Sequence, residues 1–285
     1  MKRISFLLAL LLLISAGCGK AGNKSESITL EVAGKMTSEE YYKIGFTKDS
    51  LKDFTGSIAA FTKAIELEPQ NSNDYLYRAL SKGILEDQIG EFADLSMAIK
   101  IDPTNALAYY HRGMIQDLDR NREGAIADYS MAIEIDPTND LYYLDRGSAK
   151  FLLSDYRGAI ADFSMAIDID PTNAAYYSWR GDAKNSIKER KGAIADFNKA
   201  IELDPENGDY YRNRGDVWYY LKDYRGSIAD FTKAIELDPK NGNYYYHRGL
   251  SKIKLGEKDS GCLDFSRAGE LGSEWAYGAI EKYCN

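Results

Sequence analysis

Between residues 37 and 272 the apolar residues recur at fixed places instead of forming runs, with aromatic and small residues returning every 34 positions. All six prolines share that spacing: Pro69, Pro103, Pro137, Pro171, Pro205 and Pro239. With each proline taken as position 32, one period holds Tyr109 at four, Gly113 at eight, Ala125 at twenty, Tyr129 at twenty-four and Ala132 at twenty-seven. The period from 208 repeats the pattern with Tyr211, Gly215, Ser227, Phe231 and Ala234. Small residues at eight, twenty and twenty-seven let helix backbones approach, and the aromatics fill the space between them. Two residues after each proline stands an asparagine: Asn71, Asn105, Asn139, Asn173, Asn207 and Asn241. Proline cannot extend an outgoing helix and asparagine accepts from the free amides of an incoming one, so these positions predict helix boundaries. A last helix is predicted from about Ser273 to Tyr283, where Trp275, Ala276 and Ile280 form one apolar face.

A strict 34-residue period with these residues resembles the tetratricopeptide repeat (TPR) family over seven repeats. The resemblance implies an all-α fold, a TPR superhelical solenoid of seven helix-turn-helix repeats over 37–272 with a C-terminal capping helix over 273–285.

Two charged positions also recur. Position seven is Arg78, Arg112, Arg146, Arg180, Arg214 and Arg248; position twenty-three is Asp94, Asp128, Asp162, Asp196, Asp230 and Asp264. The first repeat has Ile44 and Ala60 at those places, so both partners vanish together. That joint loss predicts a pair within each repeat, a bidentate clasp between antiparallel helices that fixes register more than it adds net stability. The alternative is exposed charges of little energetic effect.

In the TPR family the first helices line a concave groove. Here its positions five and nine hold Tyr42 with Phe46, Leu76 with Leu80, Tyr110 with Met114 and Leu144 with Ser148. The pattern then turns polar, through Ser178 with Asp182 and Arg212 with Asp216, before Tyr246 and Leu250. An apolar strip beside a charged centre reads as a recognition surface for a protein or peptide segment. Packing between repeats is the alternative use of the same residues. The Lys and Asn groove positions by which some family members hold chaperone tails are not offered. An architectural spacer working through the convex face is a second functional expectation.

Residues 1–17 carry Lys2 and Arg3, an apolar run from Phe6 to Ile14, and then Ser15, Ala16 and Gly17. This is the layout of a secretory signal, its apolar run far shorter than the roughly 20 residues of a membrane span. It ends at Cys18, which resembles a bacterial lipobox cysteine, diacylated on sulfur to become the mature N-terminus. Ser15 departs from the usual leucine, and ordinary cleavage near Ala16 is the alternative. Gly19 resembles the pattern of enteric lipoproteins sent to the outer membrane, so an envelope location facing the periplasm or surface is expected. Residues 18–36 read as a flexible tether.

Composition then excludes classes. The net charge of −8 disfavours nucleic acid as a partner. Only His111 and His247 could serve as histidine bases or ligands, and both sit at position six, four repeats apart. Gly56, Gly90, Gly124, Gly158, Gly192 and Gly226 are single residues at helix turns, not a phosphate loop. No cofactor, metal or catalytic site is expected, and an enzyme is the least favoured class. Cys262 and Cys284 lie symmetrically about Ser273 and are the two thiols left once Cys18 is acylated. In an oxidising compartment they predict a disulfide, against the alternative of two free buried thiols.

Overall fold

The computed structural model describes residues 36–285. The signal segment, Cys18 and all of the tether before Met36 lie outside the described residues. Fifteen α-helices and no strand occur among the described residues. They fall into two compact units that divide after Asp136.

In unit 1 the helices are α1 (Ser38–Ser50), α2 (Phe54–Leu67), α3 (Ser72–Ile84), α4 (Gln88–Ile101), α5 (Ala106–Leu118) and α6 (Arg122–Ile135). They form three helix pairs, each helix packed on its neighbours in sequence. Thr37 opens α1 with a reciprocal capping box to Glu40, which satisfies two amides at the helix start. Leu76, Ala79, Leu95, Ala98, Ala108 and Ile115 make one buried cluster across the second and third pairs.

Unit 2 contains α7 (Asp140–Leu152), α8 (Tyr156–Ile169), α9 (Ala174–Ser186), α10 (Arg190–Leu203), α11 (Gly208–Tyr220), α12 (Tyr224–Leu237), α13 (Gly242–Leu255), α14 (Lys258–Glu270) and α15 (Trp275–Tyr283). These are four helix pairs and a closing helix that packs on α14. First helices also touch one another, α9 on α11 and α11 on α13. Their exposed edges therefore lie side by side as one face.

The same local devices build both units. Asn71, Asn105, Asn139, Asn173, Asn207 and Asn241 each cap the helix that follows. Between the two helices of a pair one residue adopts the left-handed conformation: Lys52, Glu86, Arg120, Ser154, Lys188 and Lys222, with φ between 60° and 66°, and Gly256 in the last pair. The aromatic at position twenty-four lies against position eight so closely that a Cβ built at Gly45, Gly113, Gly147, Gly181 or Gly249 would stand under 3 Å from the ring. The one pair with alanine at position eight, Ala79, has Leu95 at twenty-four, where no ring needs the space.

Candidate binding site

The recurrent charges lie behind the first-helix face. Each arginine of position seven donates through Nε and Nη2 to both carboxylate oxygens of the aspartate sixteen residues later, at 2.6–3.0 Å, in Arg78–Asp94, Arg112–Asp128, Arg146–Asp162, Arg180–Asp196, Arg214–Asp230 and Arg248–Asp264. The aspartates are buried. Bidentate geometry of this kind orients both helices.

Three further features of the clasp escaped the sequence reading. The remaining guanidinium nitrogen reaches position twenty-five of the preceding pair, Arg78 to Thr62, Arg112 to Ser96, Arg180 to Ser164, Arg214 to Asn198 and Arg248 to Thr232. A lysine four residues after the arginine joins the same carboxylate in Lys82–Asp94, Lys150–Asp162, Lys184–Asp196 and Lys252–Asp264, at 2.7–2.8 Å. The tyrosine of position four lies under the guanidinium at 5.5–5.8 Å in all six cases. Each recurs at the 34-residue interval, so the signal stood in the sequence. The first pair, with Ile44 and Ala60, has no clasp; at other positions Ser81 of the next pair donates to Asp49 and contacts Ser57, as Ser251 contacts Ser227 further along.

In unit 1 the candidate recognition residues divide. Tyr42, Phe46, Leu80 and Met114 are half-buried and keep part of their apolar surface in solvent. Leu76 and Tyr110 do not: they are 1% and 3% exposed, and the expectation that they line an open groove is corrected to a packing role. Leu76 is held by the buried cluster around Ala79 and Leu95, and Tyr110 lies against the Tyr129 ring at 5.8 Å. Tyr42, Phe46 and Tyr77 form an edge-to-face group with centroids 4.4–5.9 Å apart. Burial pushes the Tyr42 hydroxyl well above the usual phenol range, with Tyr77 and Asp74 adding to the shift.

Unit 2 is different on its first-helix face. Leu144 is half-buried against the cluster of Ala159, Phe163 and Ala183. Beyond it the face is polar and bonded from helix to helix. Asn213 donates to Ser178 at 3.3 Å and to Asp182 at 3.4 Å. Arg212 pairs with Asp209 at 3.2 Å and with Asp216 at 3.7 Å, and His247 Nδ1 stands 3.2 Å from Asp216. Tyr244 donates to Asp209 and Tyr176 to Asp140. Burial raises the Asp182 carboxyl to about 7; Arg212 opposes that shift, and the Asp216 and Asp209 charges reinforce it. Asp182, Arg212 and Asp216 are thus brought together as the sequence placed them. Asp209, Asn213 and His247 were missed as members, because their partners lie on neighbouring helices and differ from repeat to repeat; His247 shares position six with His111, but Asp216 has no counterpart there.

At the end of unit 2 Cys262 and Cys284 are bonded through sulfur, with Cα atoms 5.7 Å apart, so the chain end is tied to α14. No group of three or more His, Cys, Asp and Glu residues among the described residues is arranged to hold a metal ion, and no helix there is long and apolar enough to cross a membrane.

Family comparisons agree with this geometry. Residues 41–71, 106–139 and 174–207 match one tetratricopeptide repeat family model and residues 208–241 match another. No curated protein matches the chain. Among solved structures, the chain is similar to MamA at 25% identity and TM-score 0.56, covering 60% of this chain and 94% of that one. A second similar structure is YrrB, described as a TPR protein with an unusual peptide-binding site, at 21% identity and TM-score 0.59 over 63% of this chain and 93% of that one. A third is a tetratricopeptide repeat protein from Parabacteroides merdae, at 18% identity and TM-score 0.61 over 87% and 99%.

Proposed function

This chain is built of tetratricopeptide repeats, and on that footing we propose that it is a non-catalytic scaffold at the bacterial cell envelope, holding polypeptide segments on its first-helix faces. One observation carries the reading. Positions five and nine hold half-exposed Tyr42, Phe46, Leu80 and Met114 in unit 1, and Asp182, Arg212 and Asp216 in unit 2. The fold accepts polar residues at these places, so the apolar ones in unit 1 are not demanded by packing. Half-exposed aromatic and aliphatic side chains in a row suit an extended or helical partner segment. The peptide-binding site named for YrrB is a parallel on the same fold.

Crosslinking and pull-down from intact cells, with Phe46→Ala, Leu80→Ser and Met114→Ser combined, tests this. Capture of partners by the native chain and its loss in the variant, at unchanged helix content, is the expected outcome. Undiminished capture would sink the reading.

A second reading, an envelope spacer or assembly factor working through the opposite side, is favoured by Ile89, which is 87% exposed. Ile89 and Phe92 line an apolar cleft of about 450 Å³ with Gln88, Ile115, Gln116, Asp119 and Asn121. Under that reading Ile89→Asp abolishes capture and the triple variant does not.

Anchoring follows from Cys18, whose two or more acyl chains would each contribute about 0.8 kcal/mol per buried methylene. Metabolic labelling with an alkyne fatty acid should mark the native chain and leave Cys18→Ser unlabelled and released from the membrane fraction. The outer membrane, facing the periplasm or surface, is the proposed location.

A further inference from the structure

Between α11, α13 and the start of α15, unit 2 holds a cleft of about 320 Å³ lined by Asp209, Arg212, Asn241, Asn243, Tyr244, His247 and Trp275. It sits at the lower end of the ~300–1,000 Å³ of small-molecule sites, so it has room for one long side chain. We infer that this cleft receives the cationic side chain, lysine or arginine, of a polypeptide segment held on unit 2. The inference rests on the reading that first-helix faces hold polypeptide, and names the chemistry of what unit 2 accepts.

The lining determines the sign of the ligand. Arg212 already lies between Asp209 and Asp216, and His247 stands on Asp216. Both basic groups of the cleft therefore already stand against carboxylates, which offset their charge toward any further anion. Asp209, by contrast, keeps 62% of its side chain in solvent, and its contacts with Arg212 and Tyr244 occupy the same oxygen, Oδ1. A carboxylate has room for several donors on two oxygens, so Oδ2 remains for an ammonium or guanidinium. The rim supplies an independent feature. Trp275, first residue of α15, lines the cleft and is 68% exposed, which leaves ring surface available at its rim. An indole beside a carboxylate is the pairing that holds a cation, by the ring face and by charge together. The aliphatic stem of lysine or arginine would in turn cover the ring.

The disulfide gives the arrangement a fixed frame. Cys284 at the end of α15 is bonded to Cys262 in α14, and Ser273, just before α15, donates to Asn243 of the cleft at 3.3 Å. Trp275 is thereby held at the cleft that Asp209 also lines.

The test is selection from a degenerate library of capped hexapeptides on the immobilised chain at 150 mM salt, with sequencing of the retained pool. Lysine and arginine should be enriched over the input. Asp209→Asn with Asp216→Asn should abolish that enrichment, and Trp275→Ala should lower affinity for a retained basic peptide roughly threefold. Because an acidic protein attracts basic peptides generally, Glu202→Gln with Glu236→Gln, which removes one exposed acid near the end of α10 and one near the end of α12, serves as control and should leave the enrichment intact. A retained pool without basic preference, or one that loses it equally in the control, overturns the inference while leaving polypeptide holding in place. A chain that retains no peptide overturns both.

Discussion

At the residue scale the least comfortable group is Asp182. Its carboxyl titrates near 7 because it is largely buried and shares the face with Asp209 and Asp216, and Arg212 offsets this only in part. A folded-state value above the unfolded one means the native chain binds the extra proton, so stability falls as pH rises from about 4 to about 7 and is flat above. Asp182→Asn should therefore be more stable than the native chain at pH 8 by about 2 kcal/mol, after allowance for the solvent that still reaches this group, and nearly equal to it at pH 4.5. Urea unfolding at the two pH values measures this; an equal difference at both would show that Asp182 is not the titrating group. The clasp aspartates have a different setting. Each accepts two guanidinium bonds, and four of them a lysine as well, so removing one partner leaves a buried charge stranded. These residues were legible from recurrence alone. Asp182 was legible as a groove position, but its protonation depends on neighbours 27 and more residues away.

At the scale of the helix pair, the close approach of positions eight and twenty-four sets the geometry. A Cβ at Gly181 would stand 2.8 Å from the Phe197 ring, so Gly181→Ala should destabilise by about 2 kcal/mol through overpacking. The Ala79 and Leu95 pair shows how the chain itself accommodates the extra methyl. Adding Phe197→Leu to Gly181→Ala should then cost less than the sum of the two single changes, by about 1 kcal/mol or more in a double-mutant cycle. Strict additivity would mean that the ring and the glycine do not meet. Sequence displayed both residues of this pair in every repeat but the second. What it could not display was which apolar first-helix residues stay in solvent. Leu76 and Leu80 belong to the same helix, four residues apart, yet one is sealed in the cluster around Leu95 and the other half-open. A helical period fixes a face, and only the partner helix decides how far the face is covered.

At the scale of the whole molecule, repeated pairs bury their faces only against neighbours, so an end needs a cover. Helix α15 provides it in unit 2, where Ala276 and Ala279 are buried and the disulfide ties the last turn to α14. Deleting residues 273–285 should expose that end and produce concentration-dependent association in light scattering. Cys284→Ser should leave the chain monodisperse and only accelerate amide exchange in α15, since about 3 kcal/mol of loop-closure entropy is lost while the buried face remains. Association by the Cys284→Ser chain would mean that the covalent link, and not the apolar face, holds the cover down. The sequence by itself determined the period, the helix pairs, their caps and their charged clasps. Each of these is local or recurs at one fixed separation, so six or seven copies of the same choice make the rule readable. Tertiary structure alone decided the contacts that do not follow the period: His247 on Asp216, Tyr244 on Asp209, Trp275 at the cleft, and Leu76 and Tyr110 inside. They join residues on different helices with no repeated partner to reveal them, and burial depends on the surface of a neighbour that no single stretch of sequence contains.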